Sequence, residues 1–442
     1  MVINMIGTLI GKIIIFLEKL TKYDASSFPG KFVLKIFPNY LKKIKYPNLI
    51  IMVTGSAGKG STTKLIKDIL VKNNYSVCHN VEGSNLLYGI TTSIIKNTKF
   101  KTLNSDALVL EVDERYLKFV TKYINPTYLI INNITRDQPP RQGSYEEIYE
   151  EIKKGITNCN LILNGDDPLL RKYSLELKNK TYFYSINNNE HSFKDLNDIK
   201  NSVYCPKCNS KLVYEYYHYA SIGKYKCNNC DFENKNNDYK ITNIDYLKNE
   251  IIINKKYKIE TSNTSIFNLY NILTSFAVCD LIKIDKNKII ETLNNENIEK
   301  KIYNEFIVNK RKYTILNCKA ENNATYNLSL MYTAIDKNKK TIVLGLNEIS
   351  RRYNHFDLSW LYDIYFELLK DNNVDKVICV GPYRYDFAVR VKYAGIDEKN
   401  IIILENLNNI KNVIEKKTKG NVYGILNFDY VDPFEKEIRK EQ

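Results

Sequence analysis

Apolar residues at positions 6, 9, 10, 13, 14, 17 and 20 recur at the spacing of one helical face, so the chain opens on an amphipathic helix over 1–20. Lys12, Glu18 and Lys19 break its apolar character, and its longest uncharged run, eleven residues, is too short to span a bilayer. It lacks the small-residue cleavage site of a secretory signal, which leaves a packed or peripherally membrane-associated helix. After a connection over 28–47 containing Pro and Lys, the pattern turns to short continuous apolar runs separated by helical ones. Runs at 49–53, 107–112, 128–131 and 161–163 read as buried strands, with helices over 62–72 and 145–156 between some of them. Strands apolar on both faces that alternate with helices predict a parallel sheet covered on both sides. An Asn-, Asp- and Lys-rich approach, 187–202, leads to a segment at about 203–235 that interrupts this pattern. The pattern resumes near 241, with a helix over about 266–283. From about 301 come strands at 341–345, 376–380 and 401–404, with helices near 358–371 and 384–394.

The expected organisation is an N-terminal helical segment (1–46), an α/β domain (47–300) that carries the interruption, and a smaller Rossmann-like α/β domain (301–442). A length of 442 residues is enough for two or three separate cores. The last domain lacks the G-x-G-x-x-G dinucleotide fingerprint. Of nine cysteines, Cys78, Cys159, Cys279, Cys318 and Cys379 lie in or near apolar runs and read as reduced core thiols, which argues against a secreted disulfide scaffold. The net charge of +15 permits a polyanionic or membrane-linked substrate. Lysine is spread evenly with no dense basic block, so charge by itself does not argue for nucleic acid.

Two motifs carry chemistry. Within the interruption, Cys205-Pro-Lys-Cys208 and Cys227-Asn-Asn-Cys230 form two C-x-x-C pairs separated by eighteen residues. Each pair can bring two thiolates to one metal at ~2.3 Å, and together they complete a tetrahedral Zn²⁺ site with no open position for catalysis. Thr54-Gly-Ser-Ala-Gly-Lys-Gly-Ser-Thr62 follows a strand and opens a helix, the context of a phosphate-binding loop. Gly55, Gly58 and Gly60 let backbone N–H groups close round phosphate oxygens, Lys59 reaches the β/γ-phosphates of ATP, and Ser61 or Thr62 offers a hydroxyl to Mg²⁺. Only two residues separate Gly55 from Gly58, fewer than in the usual G-x-x-x-x-G-K-[ST] loop.

That shortened loop resembles the one of the Mur ligase superfamily, with an ending similar to that of folylpolyglutamate synthases. Glu111-Val-Asp-Glu114, Asn132-Asn-Ile-Thr-Arg-Asp-Gln138, Asn164-Gly-Asp-Asp-Pro168 and Phe267-Asn268-Leu-Tyr-Asn271 resemble further Mur motifs in the right order. Within the superfamily the chain is most similar to the MurT family, on the inserted four-cysteine ribbon, on Asp357-Leu-Ser-Trp-Leu-Tyr-Asp363, and on the run from Gly381 to Gly395. Phe28-Pro-Gly-Lys31 and Glu82-Gly-Ser-Asn-Leu86 match as well. The resemblance implies ATP-dependent amidation of the D-glutamate α-carboxylate of the lipid II stem peptide through an acyl-phosphate. Ammonia would come from a GatD-like glutamine amidotransferase subunit in a heterodimer. It further implies ATP contacts from Asn268 and Asn271, a Mg²⁺ site at Glu111 and Ser61, and catalytic roles for Lys59 and for Asp357, which would orient the partner's histidine. Asp137 stands where many Mur ligases carry a histidine, a weak second metal position. Asp357 also suits an N-cap, and Trp360 suits packing. The expected location is cytoplasmic, peripheral at the inner face of the membrane, with no nucleic acid bound.

The sequence departs from the family at Lys319-Ala-Glu-Asn-Asn323, at Asn347-Glu348 and at Asn427-Phe-Asp-Tyr430, all on the substrate and partner side. One alternative is therefore a Mur-like ligase adding an amino acid or amine without a glutaminase. The other is a zinc-ribbon module that binds nucleic acid, stacking bases on Tyr214, Tyr216, Tyr217 and Tyr219.

Overall fold

In a computed structural model the chain forms two compact units, the first lying within residues 1–296 and the second built mainly from residues 297–442. The structure describes residues 2–20, 27–80, 84–135, 144–194, 204–261, 264–295, 303–318, 323–348, 357–370 and 372–440. Asp137, Glu82 and the departure at 319–322 lie outside the described residues.

The first unit is built on a nine-stranded sheet. Its first strand in chain order, Leu49–Thr54, lies parallel between Ala107–Glu111 and Tyr128–Ile131. Val77–His79 extends the sheet beyond Ala107–Glu111. On the other side come Asn160–Asn164, Thr181–Ile186 and Tyr239–Asp245, all parallel. The expected parallel sheet is thus correct in its centre, but Glu250–Ile253 and Tyr257–Glu260 close that edge as antiparallel strands. Two tight connections with residues at positive φ, Asn249 and Asn254–Lys255, permit the reversal, whereas parallel pairs need a crossover helix. Burial of all five residues of Ala107–Glu111 explains its unbroken apolar run. Helix Ile266–Leu281 is buried from Phe267 to Cys279, so its sequence is apolar nearly all round. It packs against helix Lys59–Lys72, which begins three residues earlier than its apolar pattern because Lys59, Gly60 and Ser61 form the first turn.

The second unit carries a six-stranded sheet in the order Tyr303–Val308, Arg311–Cys318, Asn421–Asn427, Lys340–Gly345, Val374–Val380, Ile401–Leu404, parallel except for the first pair. Apolar clusters cover both faces. Helix Arg384–Tyr393 stands as expected. The helix expected near 358–371 does not form: Ser359–Asp363 and Phe366–Leu369 are separate 3₁₀ turns, broken at an extended Ile364. The backbone groups that would continue a helix have other partners. Asn327 accepts from Tyr365 N–H (2.7 Å) and donates to the Asp363 carbonyl (3.0 Å), while the buried Arg390 guanidinium donates to the carbonyls of Leu361 (3.2 Å) and Ile364 (2.8 Å). Tertiary hydrogen bonds here override local helix pattern.

Candidate functional site

Register sets the site. Val53 pairs with Glu111 and Thr54 with Ile131, so the ends of three adjacent parallel strands bring Gly55, Glu111 and Asn132 to one edge. The chain crosses there from one side of Leu49–Thr54 to the other, the switch point at which open α/β sheets bind ligands.

The loop after Leu49–Thr54 is held from the neighbouring strand end. Ser56 N–H donates to the Asn133 carbonyl (3.0 Å), Ala57 N–H to Asn133 Oδ1 (2.9 Å), and Thr135 N–H to Ser56 Oγ (2.8 Å). Gly55 and Gly58 have φ of +120° and +81°. A Cβ on Gly58 would stand 2.5 Å from Asn271 Oδ1, so neither the backbone conformation nor the space admits a side chain. Lys59 begins the helix, and its N-terminal N–H groups and dipole face the loop. Thr62 is fully buried, donating to Asn271 Oδ1 (3.1 Å) and accepting from Asn132 Nδ2 (3.1 Å). Of the two candidate hydroxyls, this one braces the loop against helix Ile266–Leu281, whereas Ser61 lies half-buried in the first turn of the loop helix. Asn268 is buried and donates to Thr261 Oγ1 (3.2 Å).

The acidic run after strand Ala107–Glu111 faces Lys59. Lys59 Nζ pairs with Glu114 Oε2 at 2.9 Å, with side chains 12% and 6% exposed, and also donates to the Gly55 carbonyl. Burial alone would lower the Lys59 pKa, but the carboxylates of Glu114, Glu111 and Asp113 outweigh it and raise it. Lys59 therefore stays a cation in a dry site, as a phosphate-binding lysine must. Burial raises the Glu114 pKa, with Lys59 opposing and Asp113 adding to it. Glu111 is buried; Asn85 donates to its Oε1 (3.0 Å), and its Oε2 comes within 3.2 Å of a Cβ built on Gly60. Its carboxylate thus lies at the start of the loop helix. Sequence reasoning misses Glu114 and Asn85 as site residues; their only signal is membership of Glu111-Val-Asp-Glu114 and of the Glu82–Leu86 stretch.

The four cysteines meet as their spacing requires. All four Sγ atoms lie within 4.8 Å of one another. Cys205–Cys230 and Cys208–Cys227 are each 3.5 Å apart and join the two knuckles. The N–H groups of Lys207 and Asn229 point at the sulfurs of Cys205 and Cys227 at 3.4 Å each. This donor set fits a tetrahedral Zn²⁺, and the cluster suggests such a metal. The residues that carry the cysteines also form an antiparallel hairpin, Leu212–Tyr219 with Ile222–Cys227, whose far end runs back into the unit. Tyr216, Tyr217 and Tyr219 are buried there, so they offer no base-stacking surface. Tyr219 stacks on Phe267 with ring centroids 4.2 Å apart. Burial pushes its hydroxyl pKa well up, Tyr184, Asp167 and Asp166 adding, while a hydrogen bond with the Asn133 side chain pulls down. Buried Asp166 is the hub of this contact: it accepts from Ile186 N–H (2.8 Å), Tyr270 OH (2.7 Å) and Asn234 Nδ2 (2.6 Å), and its carbonyl accepts from Gly223 N–H (2.9 Å).

In the second unit Asp357 accepts from Ser359 N–H (2.8 Å) and Ser359 Oγ (3.1 Å), capping the turn Ser359–Asp363. Trp360 is buried against Tyr326 at 5.5 Å between ring centroids, a packing residue.

Residues 53–231 match the Mur ligase middle domain, and residues 320–430 match the MurT ligase C-terminal domain. The MurT subunit of lipid II isoglutaminyl synthase (glutamine-hydrolyzing) from Staphylococcus aureus (strain COL) is 29% identical over 388 residues, covering 85% of each chain. That from Streptococcus pneumoniae (strain ATCC BAA-255 / R6) is 26% identical over 425 residues, covering 94% of this chain and 93% of the relative. Among solved structures, a pseudomurein peptide ligase type C from Methanothermus fervidus superposes with a TM-score of 0.66 at 22% identity, over 91% of this chain and 80% of that one. MurF ligase from Thermotoga maritima in complex with ADP gives 0.59 at 18% identity, over 94% and 84%, and supports the fold alone. A Mur ligase middle domain implies ATP use. The fold is therefore the expected one, a Mur-ligase-like α/β domain with an inserted four-cysteine ribbon followed by a C-terminal α/β domain. Over most of its length the chain is thus similar to MurT subunits, with a MurT ligase C-terminal domain behind a Mur ligase middle domain, and it is a ligase.

Proposed function

We propose that the chain is the ligase half of a two-subunit amidating enzyme, converting the D-glutamate α-carboxylate of lipid II to the D-isoglutamine amide. The observation that carries this reading is the presence, in one chain, of a Mur-type ATP loop braced by Asn132, Asn133 and Asn271 and a MurT-type C-terminal domain. In the reaction a carboxylate oxygen attacks the γ-phosphorus of ATP, ADP leaves, and the acyl-phosphate forms. The ammonia lone pair then attacks the acyl carbon, the C–O bond to phosphate breaks, and the nitrogen loses a proton. Lys59 would hold the β/γ-phosphates, and the N–H groups at the helix start, Gly58 to Ser61, would cradle them. Ser61 and Glu111 would hold Mg²⁺, which spreads charge from the transferring phosphoryl group. Asn268 and Asn271 would border the adenine. Zn²⁺ would sit on Cys205, Cys208, Cys227 and Cys230 and take no part in the chemistry.

Ammonia would come from a GatD-like glutaminase on the second unit, with Asp357 orienting that partner's histidine. An exposed row there, Tyr385, Val389 and Tyr393, lies on the helix whose Arg390 holds the turn after Asp357. The lipid-linked acceptor would place the reaction in the cytoplasm at the inner face of the membrane. The departures at Asn347-Glu348 and Asn427–Tyr430 favour, as a second reading, a Mur-like ligase that adds an amino acid or amine without a glutaminase. Incubation of the purified chain with ATP, lipid II and ammonium discriminates between them. Amidated stem glutamate by mass spectrometry supports the first reading, and phosphate release only with a free amino acid overturns it.

A further inference from the structure

Helix Val2–Leu20 meets two different surroundings. Gly7, Thr8, Gly11 and Ile15, spaced to share one side, are buried. A Cβ on Gly7 would stand 3.1 Å from the Tyr40 ring and one on Gly11 2.8 Å from Ile95, so the small residues bring the helix close to its support. Thr8 Oγ1 shares a hydrogen bond with Tyr40 OH (3.0 Å) and donates to the Phe100 carbonyl (3.1 Å). At 3.6 residues per turn, Ile6, Leu9, Ile13, Phe16, Leu17 and Leu20 fall on the opposite side. All six are between 43% and 66% exposed. This inverts the usual rule, under which the face turned from the core is polar.

A second apolar row, Phe28, Phe32 and Ile36, is exposed on the next helix, Phe28–Ile36. The exposed polar residues of these two helices include Lys12, Lys19, Lys31 and Lys35. The first 45 residues contain eight lysines against two acids, Glu18 and Asp24. A large apolar stripe rimmed by one sign of charge is the signature of an interfacial helix, with apolar side chains in the acyl boundary and lysine ammoniums among anionic headgroups.

We propose that these two helices form a membrane-docking face that lays the chain on an anionic lipid surface. The helix lies in the interface: among the described residues none is long and apolar enough to cross a membrane. The inference rests on this surface and not on the identity of the acceptor.

Flotation of the full chain with vesicles tests it. The chain is expected to float with phosphatidylglycerol/phosphatidylethanolamine vesicles and at least about tenfold less with pure phosphatidylcholine. Combined Leu9→Ser, Ile13→Ser and Phe16→Ser is expected to lose flotation at least about tenfold with unchanged thermal unfolding, because these side chains are about half exposed or more. Phe16→Glu alone serves as the second probe if the triple variant misfolds. Absence of flotation by the unaltered chain, or equal flotation by the variants, overturns the proposal. So does a lipid-free dimer in sedimentation velocity that the variants dissolve, since the stripe would then join two copies. Turnover of a water-soluble acceptor by the same proteins reports separately on the ligase reading, so either can fail without the other.

Discussion

Lys59 and Glu114 form the tightest electrostatic element of the ATP site, both side chains about nine-tenths buried. Such a pair owes its persistence to mutual compensation, because a lone buried charge is far more costly than the pair. Nucleotide phosphates approaching Lys59 must therefore compete with Glu114. Two substitutions should act in opposite directions on binding. Lys59→Ala is expected to cut ATP-dependent turnover by about a hundredfold or more, since the transferring phosphoryl group loses its cation. Glu114→Gln is expected to keep or tighten ADP affinity in calorimetric titration. It should destabilise the nucleotide-free protein by on the order of 2 kcal/mol, less than a fully broken buried pair because Glu111 and Asp113 still face the lysine. Weaker ADP binding by Glu114→Gln would mean that the carboxylate helps to build the site instead of occupying its lysine. Lys59, Gly55 and Gly58 are legible in the sequence because loop chemistry depends on local spacing. Glu114 is not, because its role depends on which way an acid after a strand end turns.

At the scale of elements, the ribbon is where sequence and structure differ most in what they teach. Spacing alone locates its four ligands, since two knuckles on one metal are a local constraint. What spacing does not disclose is the other end of the hairpin, where Tyr219 stacks on Phe267 and Asp166 ties Gly223 and Asn234 to Tyr270. Those contacts join residues more than forty positions apart and arise from packing. Phe267 and Tyr270 lie on the same helix as Asn271, which braces Thr62 in the ATP loop. The hairpin is therefore a buttress of the nucleotide site as well as a metal module. Cys208→Ser with Cys227→Ser is expected to remove bound zinc, read by elemental analysis, and to raise the KM for ATP several-fold more than it lowers kcat. Tyr219→Ala should reproduce the KM effect with zinc retained, losing about 1 kcal/mol of aromatic contact. Zinc loss that leaves KM unchanged would confine the ribbon to its own small core of Leu212, Tyr225 and Phe232. The absent helix at 358–371 has the same origin: its apolar pattern is helical, yet Asn327 and Arg390 claim its backbone groups.

For the whole molecule, the chemistry divides between two units. Under the proposed reading, activation of a carboxylate would belong to the first, at Lys59, Glu111 and Ser61; supply of the amine would belong to the second, where Asp357 sits half-buried at the head of a 3₁₀ turn. Capping that turn and orienting a partner's imidazole are two different uses of one carboxylate. The two roles predict different kinetics. If Asp357 only caps, Asp357→Ala should lower thermal stability by about 1 kcal/mol and leave turnover alike with either nitrogen source. If it orients the partner's base, ammonium-supported amidation by the complex with the glutaminase should stay within about twofold of wild type, while glutamine-supported amidation falls at least about tenfold. Asp357→Asn sharpens the comparison, since an amide can still cap the turn yet cannot hold an imidazolium. A glutamine-specific loss in Asp357→Asn with an unchanged unfolding midpoint would assign the residue to the partner's chemistry. Equal loss with ammonium and glutamine would return it to the fold of the second unit.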